Sequence, residues 1–160
     1  MSLSSDLSAL YARDISRLTQ ELRAFPDDES LWQKLPGVNN SAGNLILHIE
    51  GNLRDFIGQR LGGIAYERQR DQEFAAGGMA RAQLAERLEQ LGTALPPVLA
   101  GLTEAQLDAQ YPENVLGVPM STRLFAVHLL LHLNLHMGQI DYLRRILTLT
   151  GAVAFAKLPA

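Results

Sequence analysis

The sequence predicts an all-α protein, a four-helix bundle, and three observations support that fold class. Apolar residues recur at spacings of three and four along four segments of the 160-residue chain, which is the period of a helix with one buried face. Glycine and proline mark most of the breaks between these segments. No stretch of useful length alternates apolar and polar residues as a strand does. We therefore expect one domain over residues 1–160, with a long crossover before the last helix.

The first two helices are defined by their apolar positions and by the breaks that follow them. The first helix ends after Phe25, and residues 26–40 form a connection with a short turn around residues 30–32. A second helix starts at Asn40 or Ser41, either of which can cap it, and stops near residues 61–63, where glycine tolerates a left-handed cap. The apolar stripe of the first helix is Leu3, Leu7, Leu10, Tyr11, Ile15, Leu18, Leu22 and Phe25, and the inward face of the second includes Leu45, His48, Asn52 and Phe56 with Ile49 and Leu53.

The second half of the chain predicts two more helices. Residues 64–78 are polar and glycine-rich and are expected to form a loop. The third helix follows, and Pro96 and Pro97 are expected to kink or interrupt it. Thr103 begins a short turn, and residues 111–120 form the crossover loop. The fourth helix runs from Ser121 or Thr122 to about Leu149, and as the most apolar segment it is expected to be the most buried. The apolar stripe of the third helix is Leu84, Leu88, Leu91, Leu95 and Val98.

Composition and charge exclude several classes of function. The net charge is −3 and the pI is about 5.8, which disfavours nucleic acid as a partner. Without cysteine the chain has no disulfide, no thiolate zinc site and no nucleophilic thiol, so any thiol in its chemistry comes from a ligand. The amino-terminal residues do not resemble a signal peptide, and the apolar run from Leu124 to Leu135 is shorter than a bilayer requires. We expect a soluble, cytoplasmic protein that does not enter a membrane.

The four histidines are the candidate metal-binding residues. His128, His132 and His136 follow one another at every fourth position of the fourth helix and share one face, and His48 lies on the apolar side of the second helix. Two imidazoles spaced by four can chelate one cation, and His48 could supply a third ligand while leaving a position open for water or substrate. Imidazole suits zinc, nickel, copper and iron.

Neighbouring polar residues favour one histidine pair over the other. Gln139 continues the stripe beyond His136, where a buried amide could orient a ligand ring or hold a water, whereas only apolar residues precede His128. This favours His132 with His136 and leaves His128 as a neighbour or packing residue. Asn44 and Asn52 flank His48 at the same spacing of four. The residues alone leave a second interpretation open, in which the histidines are core side chains satisfied by carbonyl groups.

No side chain stands out as a general base. Glu50 is turned away from His48 on its helix, so we expect a solvated surface carboxylate. We expect Tyr142 to be a core residue, and we expect the arginines of these helices, Arg54, Arg144 and Arg145, to be solvated.

Two segments of the chain resemble the histidine segments of the DinB/YfiT-like superfamily. Trp32 ahead of the Pro–Gly pair at residues 36 and 37 fits that pattern as well, and the resemblance covers most of the chain. The first segment consists of Asn40, Ser41, Leu45, His48, Gly51 and Asn52, and the second, with the pattern HxxxHxGQ, consists of His132, His136, Gly138 and Gln139.

The resemblance implies an up-down-down-up four-helix bundle, often dimeric, with a divalent metal ion, for which we expect zinc or nickel. Carried over by position, its ligands are His48, His132 and His136. Relatives include transferases and isomerases that use a low-molecular-weight thiol as cosubstrate. The chain is therefore expected to be a homodimeric thiol-dependent S-transferase or related metalloenzyme acting on a small electrophilic molecule. A metal-dependent hydrolase and a non-catalytic, metal-stabilised helical module are the alternatives.

The chain departs from the family pattern beside the last ligand. Many members carry a histidine just before it and a basic residue just after it, where this chain has Leu135 and Met137. The three ligand positions are unaffected, and the difference bears on the substrate or on the rim of the pocket. The apolar tail, residues 151–155, is expected to pack on the bundle or on a second copy of the chain.

Overall fold

The computed structural model describes residues 2–115 and 117–153, and within these ranges the protein is an all-α bundle. Four long helices form the bundle, the second of them continued by a π-helical segment, and no strand occurs in the described ranges beyond an isolated bridge between Gln110 and Ser121. The helices are α1 (Leu3–Arg23), α2 (Asp28–Trp32), α3 (Ala42–Leu53, continued by the π-helical Arg54–Gln59), α4 (Arg70–Ala75), α5 (Arg81–Ala100), α6 (Glu104–Asp108) and α7 (Thr122–Thr148).

The helix starts predicted from capping residues are confirmed. Ser41 caps α3 and Ser121 caps α7, each through a side-chain oxygen that accepts a backbone N–H of the first turn. Thr103 forms a capping box with Gln106 at the start of α6. The second long helix ends at residues 60–63, as predicted, and Gly63 there has a φ of +65°.

The core lies where the four apolar stripes meet. Helix α1 packs mainly against α5 and also against α7, while α3 packs against α7 and α4. The predicted stripe residues Tyr11, Leu18 and Leu88 are completely buried in this core. Because the stripes of all four long helices face one another, the helical period alone places most core residues correctly.

The expectation that the fourth helix is the most buried is wrong. Every residue of α3 from Ala42 to Leu53 is buried, whereas α7 leaves several large apolar side chains exposed. The reason is that two short elements cover the outer face of α3. One is α2, whose Trp32 ring lies so close to α3 that a Cβ at Gly43 would stand 2.6 Å from it. The other is α4, which packs directly on α3.

The segment predicted as a loop contains helix α4 and forms a strap over α3. We use the name strap for residues 60–80. The side-chain amide of Asn44 donates to the carbonyl oxygens of Glu73, Phe74 and Ala76 at 3.1, 3.3 and 2.9 Å. These bonds satisfy carbonyl groups at the end of a six-residue helix that could not persist without tertiary contacts. The strap is therefore fixed to α3 by a side chain of α3 itself.

The two prolines do not interrupt the third helix. Helix α5 is continuous from Arg81 to Ala100 and includes Pro96 and Pro97. Leu95 and Leu99, on either side of them, are 1% and 0% exposed, so packing against the core holds the helical path. The carbonyl of Pro96 also accepts a hydrogen bond from the Ser8 hydroxyl of α1 at 2.8 Å.

Two charged residues expected at the surface are buried, and one predicted core residue is exposed. Glu50 is 1% exposed and pairs with Arg54 and Arg87, both at 2.7 Å. Arg144 is also 1% exposed, and its Nε lies 2.6 Å from Glu21. Tyr142, in contrast, is 64% exposed. Helix position predicted all three incorrectly. Residues of α5 and α1 pair with Glu50 and Arg144 on faces expected to be solvated, whereas Tyr142 lies on the outer face of α7.

No helix within the described ranges is long and apolar enough to cross a membrane. The predicted packing of the tail, residues 151–155, falls in part on Ala154 and Phe155, which lie outside the described residues.

Candidate metal centre

Packing of α3 against α7 brings three histidines together from distant parts of the chain. The Nε2 atom of His132 lies 3.3 Å from Nε2 of His48 and 3.1 Å from Nε2 of His136. One ring nitrogen from each of the three histidines lies within 4.8 Å of the others. His48 is buried and the other two are half-buried. The structure thus assembles the three residues that the sequence singled out as metal ligands.

The outer nitrogens of two of these rings face hydrogen-bond acceptors. Nδ1 of His48 lies 2.9 Å from a carboxylate oxygen of Glu73, and Nδ1 of His136 lies 2.7 Å from the side-chain oxygen of Gln139. Each Nδ1 therefore carries the proton and donates it outward, which leaves the Nε2 lone pairs of both rings directed at His132. Nε2 of His132 can hold one proton and donate it to only one of these two lone pairs. The other lone pair then finds no donor at His132, unless a cation lies between the rings.

The two histidines of α7 that belong to the cluster favour the neutral form. Burial first, and then repulsion from His136 and His48, lower the pKa of His132 to about 4. Burial also lowers the pKa of His136, against the opposing effect of its hydrogen bond with Gln139. Neutral imidazoles keep the lone pairs that a metal ion needs.

Two of the three nitrogen separations match those of ligands around a first-row metal ion. Zinc–nitrogen bonds of about 2.0–2.1 Å place neighbouring ligands of a tetrahedron roughly 3.3 Å apart, and ligands at the same distance in an octahedron roughly 3.0 Å apart. The observed Nε2 separations of 3.3 and 3.1 Å fall at these values. The rings also meet edge to face, at 74° to 88°, so their lone pairs can converge on one point. The donor set could therefore hold one divalent metal ion.

Glu73 and Arg68 are the residues of this site that sequence reasoning missed. Both lie on the strap, and Glu73 is 6% exposed. Arg68 holds the Glu73 carboxylate through Nε at 2.7 Å and Nη2 at 2.9 Å. Burial alone would raise the pKa of Glu73, but its hydrogen bonds with His48 and Arg68 outweigh that effect and lower the pKa. Glu73 is therefore an anion that fixes the tautomer and orientation of His48.

A glycine in α3 was the available signal for this contact. A Cβ at Gly51 would lie 2.2 Å from Oε1 of Glu73, so only glycine lets the carboxylate approach α3 so closely. A glycine inside a helical pattern indicates a close neighbour. The sequence does not reveal which residue that neighbour is.

The other predicted site residues lie at different places around the three histidines. His128 is exposed, stacks on Phe125 with ring centres 6.0 Å apart, and does not belong to the cluster of ligand nitrogens. Gln139 contacts His136 as expected, but it is exposed rather than buried. Asn44 lies away from the metal-facing nitrogens, where its Oδ1 accepts the backbone N–H of Ser41 in the capping box and its amide holds the strap. Asn52 lines the cleft beside the histidines, and its buried Oδ1 has no hydrogen-bond partner in the described part of the chain.

The two residues that depart from the family pattern, Leu135 and Met137, lie in different environments. Met137 is 6% exposed and belongs to the core, whereas Leu135 is 60% exposed on the outer face of α7. Neither residue lines the cleft of about 410 Å³ that opens beside His48 and His132.

Comparisons with known proteins agree with this fold. The family model of the DinB superfamily matches residues 10–140. The crystal structure of a DinB-like protein from Bacillus cereus ATCC 10987 superposes with a TM-score of 0.67 at 23% sequence identity, covering 88% of this chain and 91% of that one. A DinB-like protein from Bacillus subtilis superposes with a TM-score of 0.69 at 15% identity, covering 93% and 96% of the two chains. No curated protein matches the chain.

Proposed function

This chain belongs to the DinB superfamily, and we propose that it is a metal-dependent enzyme whose His48, His132 and His136 hold one divalent ion, zinc or nickel. The observation that carries the proposal is the convergence of three imidazoles from two helices, with Nε2 of His132 at ligand spacing from Nε2 of both His48 and His136. Three ligands leave a position open, and the cleft leads to His48 and His132 from the side.

The reaction that we propose is the transfer of a small electrophilic molecule onto the sulfur of a low-molecular-weight thiol. A divalent ion with imidazole ligands favours the thiolate form of a thiol that reaches it at neutral pH. The chain itself contributes the ligands, the anion of Glu73 that orients His48, and apolar walls that limit water. Because the chain lacks cysteine, the sulfur must belong to the cosubstrate. The proposal places the reaction in the cytoplasm, where such thiols are kept reduced.

Two alternatives use the same three residues. A hydrolase would activate water in place of the thiol. A non-catalytic module would use the ion only to crosslink α3 and α7. The cleft beside the histidines favours an enzyme over such a module, because a purely structural site is enclosed by its four ligands.

Metal content tests the site. Protein purified from its native source should contain about one zinc or nickel ion per chain by mass spectrometry. His48→Ala, His132→Ala and His136→Ala should each lose most of that metal, because two imidazoles hold an ion much more weakly than three. His128→Ala is the matched control and should retain it. Loss of metal only in His128→Ala would show that the ligand pair on α7 is wrong.

Turnover tests the chemistry. Metal-loaded protein should couple a low-molecular-weight thiol to an aryl chloride, with a carbon–sulfur bond formed, chloride released and the thiol proton passed to solvent. The His132→Ala variant should reduce the rate to background. Hydrolysis of an activated ester without any thiol would instead support the hydrolase. A metal-loaded protein inactive in both assays would support the non-catalytic module.

We also propose that the protein is a homodimer formed through the outer face of α7. This face consists of exposed apolar side chains at steps of three, four or seven residues, which places them on one side of the helix as in a helix–helix seam. Exposed apolar surface of this extent is typical of an interface. The side chains are Leu124, Val127, Leu131, Leu135, Tyr142 and Ile146.

A further inference from the structure

We propose that the cleft beside the three histidines is a binding site for a small organic acid, and that Arg70 binds its carboxylate. The inference deepens the proposed function, on which it rests, since it names the class of the electrophilic substrate. It also assigns a role to Arg70, a residue that neither the helical pattern nor the histidine motif identified.

The charge of the cleft is opposite to that of the whole protein. The chain has a net charge of −3, yet the fully charged side chains that line this cleft are Arg68 and Arg70, and no carboxylate lines it within the described ranges. Imidazole ligands carry no negative charge, so they would not compensate the charge of a divalent ion. A ligand in this cleft would therefore meet positive potential from the ion and from the arginines, and an anion is favoured.

The two arginines are in different states. Glu73 neutralises Arg68 through two short hydrogen bonds. Arg70 is exposed, and among residues 2–115 and 117–153 no carboxylate pairs with it. Its guanidinium lies over the Phe74 ring, 5.4 Å from the centre, and such stacking orients the plane while leaving the N–H donors available. Arg70 is thus the cleft cation with unused capacity for a bidentate carboxylate.

A chain of ring contacts fixes Arg70 relative to the metal-binding residues. The Phe74 ring that lies under Arg70 also contacts His48, with ring centres 4.9 Å apart. Arg70 and His48 are therefore held near each other, because both contact the Phe74 ring. A molecule with a carboxylate at one end and a reactive carbon a few bonds away can span that gap.

The walls of the cleft define the rest of the ligand. Phe56 and Phe125 form an aromatic wall, with ring centres 5.3 Å apart, and Val115 and Leu129 add apolar surface. A volume of about 410 Å³ is within the range of small-molecule sites. A flat, apolar body with one carboxylate, such as an aromatic or unsaturated acid, fits these walls and the charge of Arg70.

Benzoate and its neutral isostere benzamide are suitable probes. Titration calorimetry with metal-loaded protein should show benzoate binding at least tenfold more tightly than benzamide. Arg70→Gln should lower the affinity for benzoate about tenfold, the value of one charge-assisted contact at a partly solvated site. The affinity for benzamide should not change. Arg81→Gln is the matched control, because Arg81 lines a different cleft, and it should bind benzoate as the wild type does.

The same titrations on metal-free protein separate this inference from the proposed function. Benzoate binding that depends on Arg70 with or without metal supports the subsite, even if the purified protein contains no metal and the proposed function fails. Benzoate binding that requires metal and is unaffected by Arg70→Gln would overturn the subsite, because the carboxylate would then bind the ion itself. Equal affinity for benzoate and benzamide would overturn it as well.

Discussion

At the scale of single residues, Glu73 determines what His48 can do. Its carboxylate accepts the Nδ1 proton at 2.9 Å and directs Nε2 toward the other histidines. A carboxylate partner of this kind also makes the imidazole a better ligand, since it stabilises the positive charge that the ring acquires on binding a cation. The strength of the metal site therefore depends on a residue that is not itself a ligand.

Glu73→Gln should weaken metal binding by about 10- to 100-fold, the usual effect of losing such a partner. The amide removes the negative charge while preserving the size of the side chain. Competition with a chromogenic chelator measures the affinity, and nitrogen NMR of His48 should show a smaller fraction of the Nδ1–H tautomer. Glu67→Gln, an exposed change on the same strap, is the control and should alter neither. An unchanged affinity in Glu73→Gln would contradict the positioning role.

The lowered pKa of His132 predicts a pH dependence of stability. Its pKa is about 4 in the folded protein and 6.5 in the unfolded chain, so the unfolded state binds more protons between these values. The stabilisation is present above pH 6.5 and is lost as the pH falls toward 4. Urea unfolding of metal-free protein should show a fall in the free energy of unfolding over this range. In His132→Leu the fall should be smaller. Parallel curves for the two proteins would contradict the prediction.

At the scale of elements, the strap decides the environment of α3. An amphipathic helix has one solvated face, but the strap and α2 bury α3 on all sides. The strap also brings Arg68, Arg70 and Glu73 to the histidines, so burial of α3 and assembly of the site have the same cause.

The carboxyl end of α7 contains a strained residue. Leu149 has a φ of +56° and is 91% exposed, so its side chain contributes little packing while its Cβ opposes the left-handed conformation. Leu149→Gly should raise the free energy of unfolding by roughly 1 kcal/mol, measured by chemical denaturation. Leu149→Ala keeps the Cβ and should give almost no gain. Equal stabilisation by both changes would indicate that the side chain, not the backbone, is unfavourable.

At the scale of the whole molecule, exposed apolar surface is concentrated on one helix. The outer face of α7 has side chains as exposed as Leu131, at 65%, and Leu135, at 60%. In water such a face is stabilised when a second copy covers it. The proposed dimer would thus complete the burial that α7 lacks in the single chain.

Leu131→Glu should convert a dimer to a monomer, because it places a charge at the centre of the proposed interface, where it would be desolvated. Sedimentation velocity at micromolar concentration measures the change. Gln90→Glu adds the same charge at an exposed position of α5 and should remain dimeric. A wild-type protein that sediments as a monomer would show that the dimer proposal is wrong.

The four long helices, the caps of α3, α6 and α7 and most of the core could be predicted from the sequence, whereas the short helix α4 could not. A helix is stabilised by contacts between residues three and four apart, so its buried face leaves a period that can be read locally. For the same reason His132 and His136 could be placed on one face, with His48 on another helix. That these three side chains meet was an expectation that the packing of α3 on α7 fulfils.

The residues that surround the histidines became known from the packing of the chain. Glu73 reaches His48 across 25 positions of the chain, from a segment without any helical period long enough to recognise. The burial of Glu50 and Arg144 likewise depends on partners from other helices, Arg87 and Glu21. Contacts between distant segments depend on how irregular connections cross the bundle, and no local pattern of apolar and polar residues encodes that path.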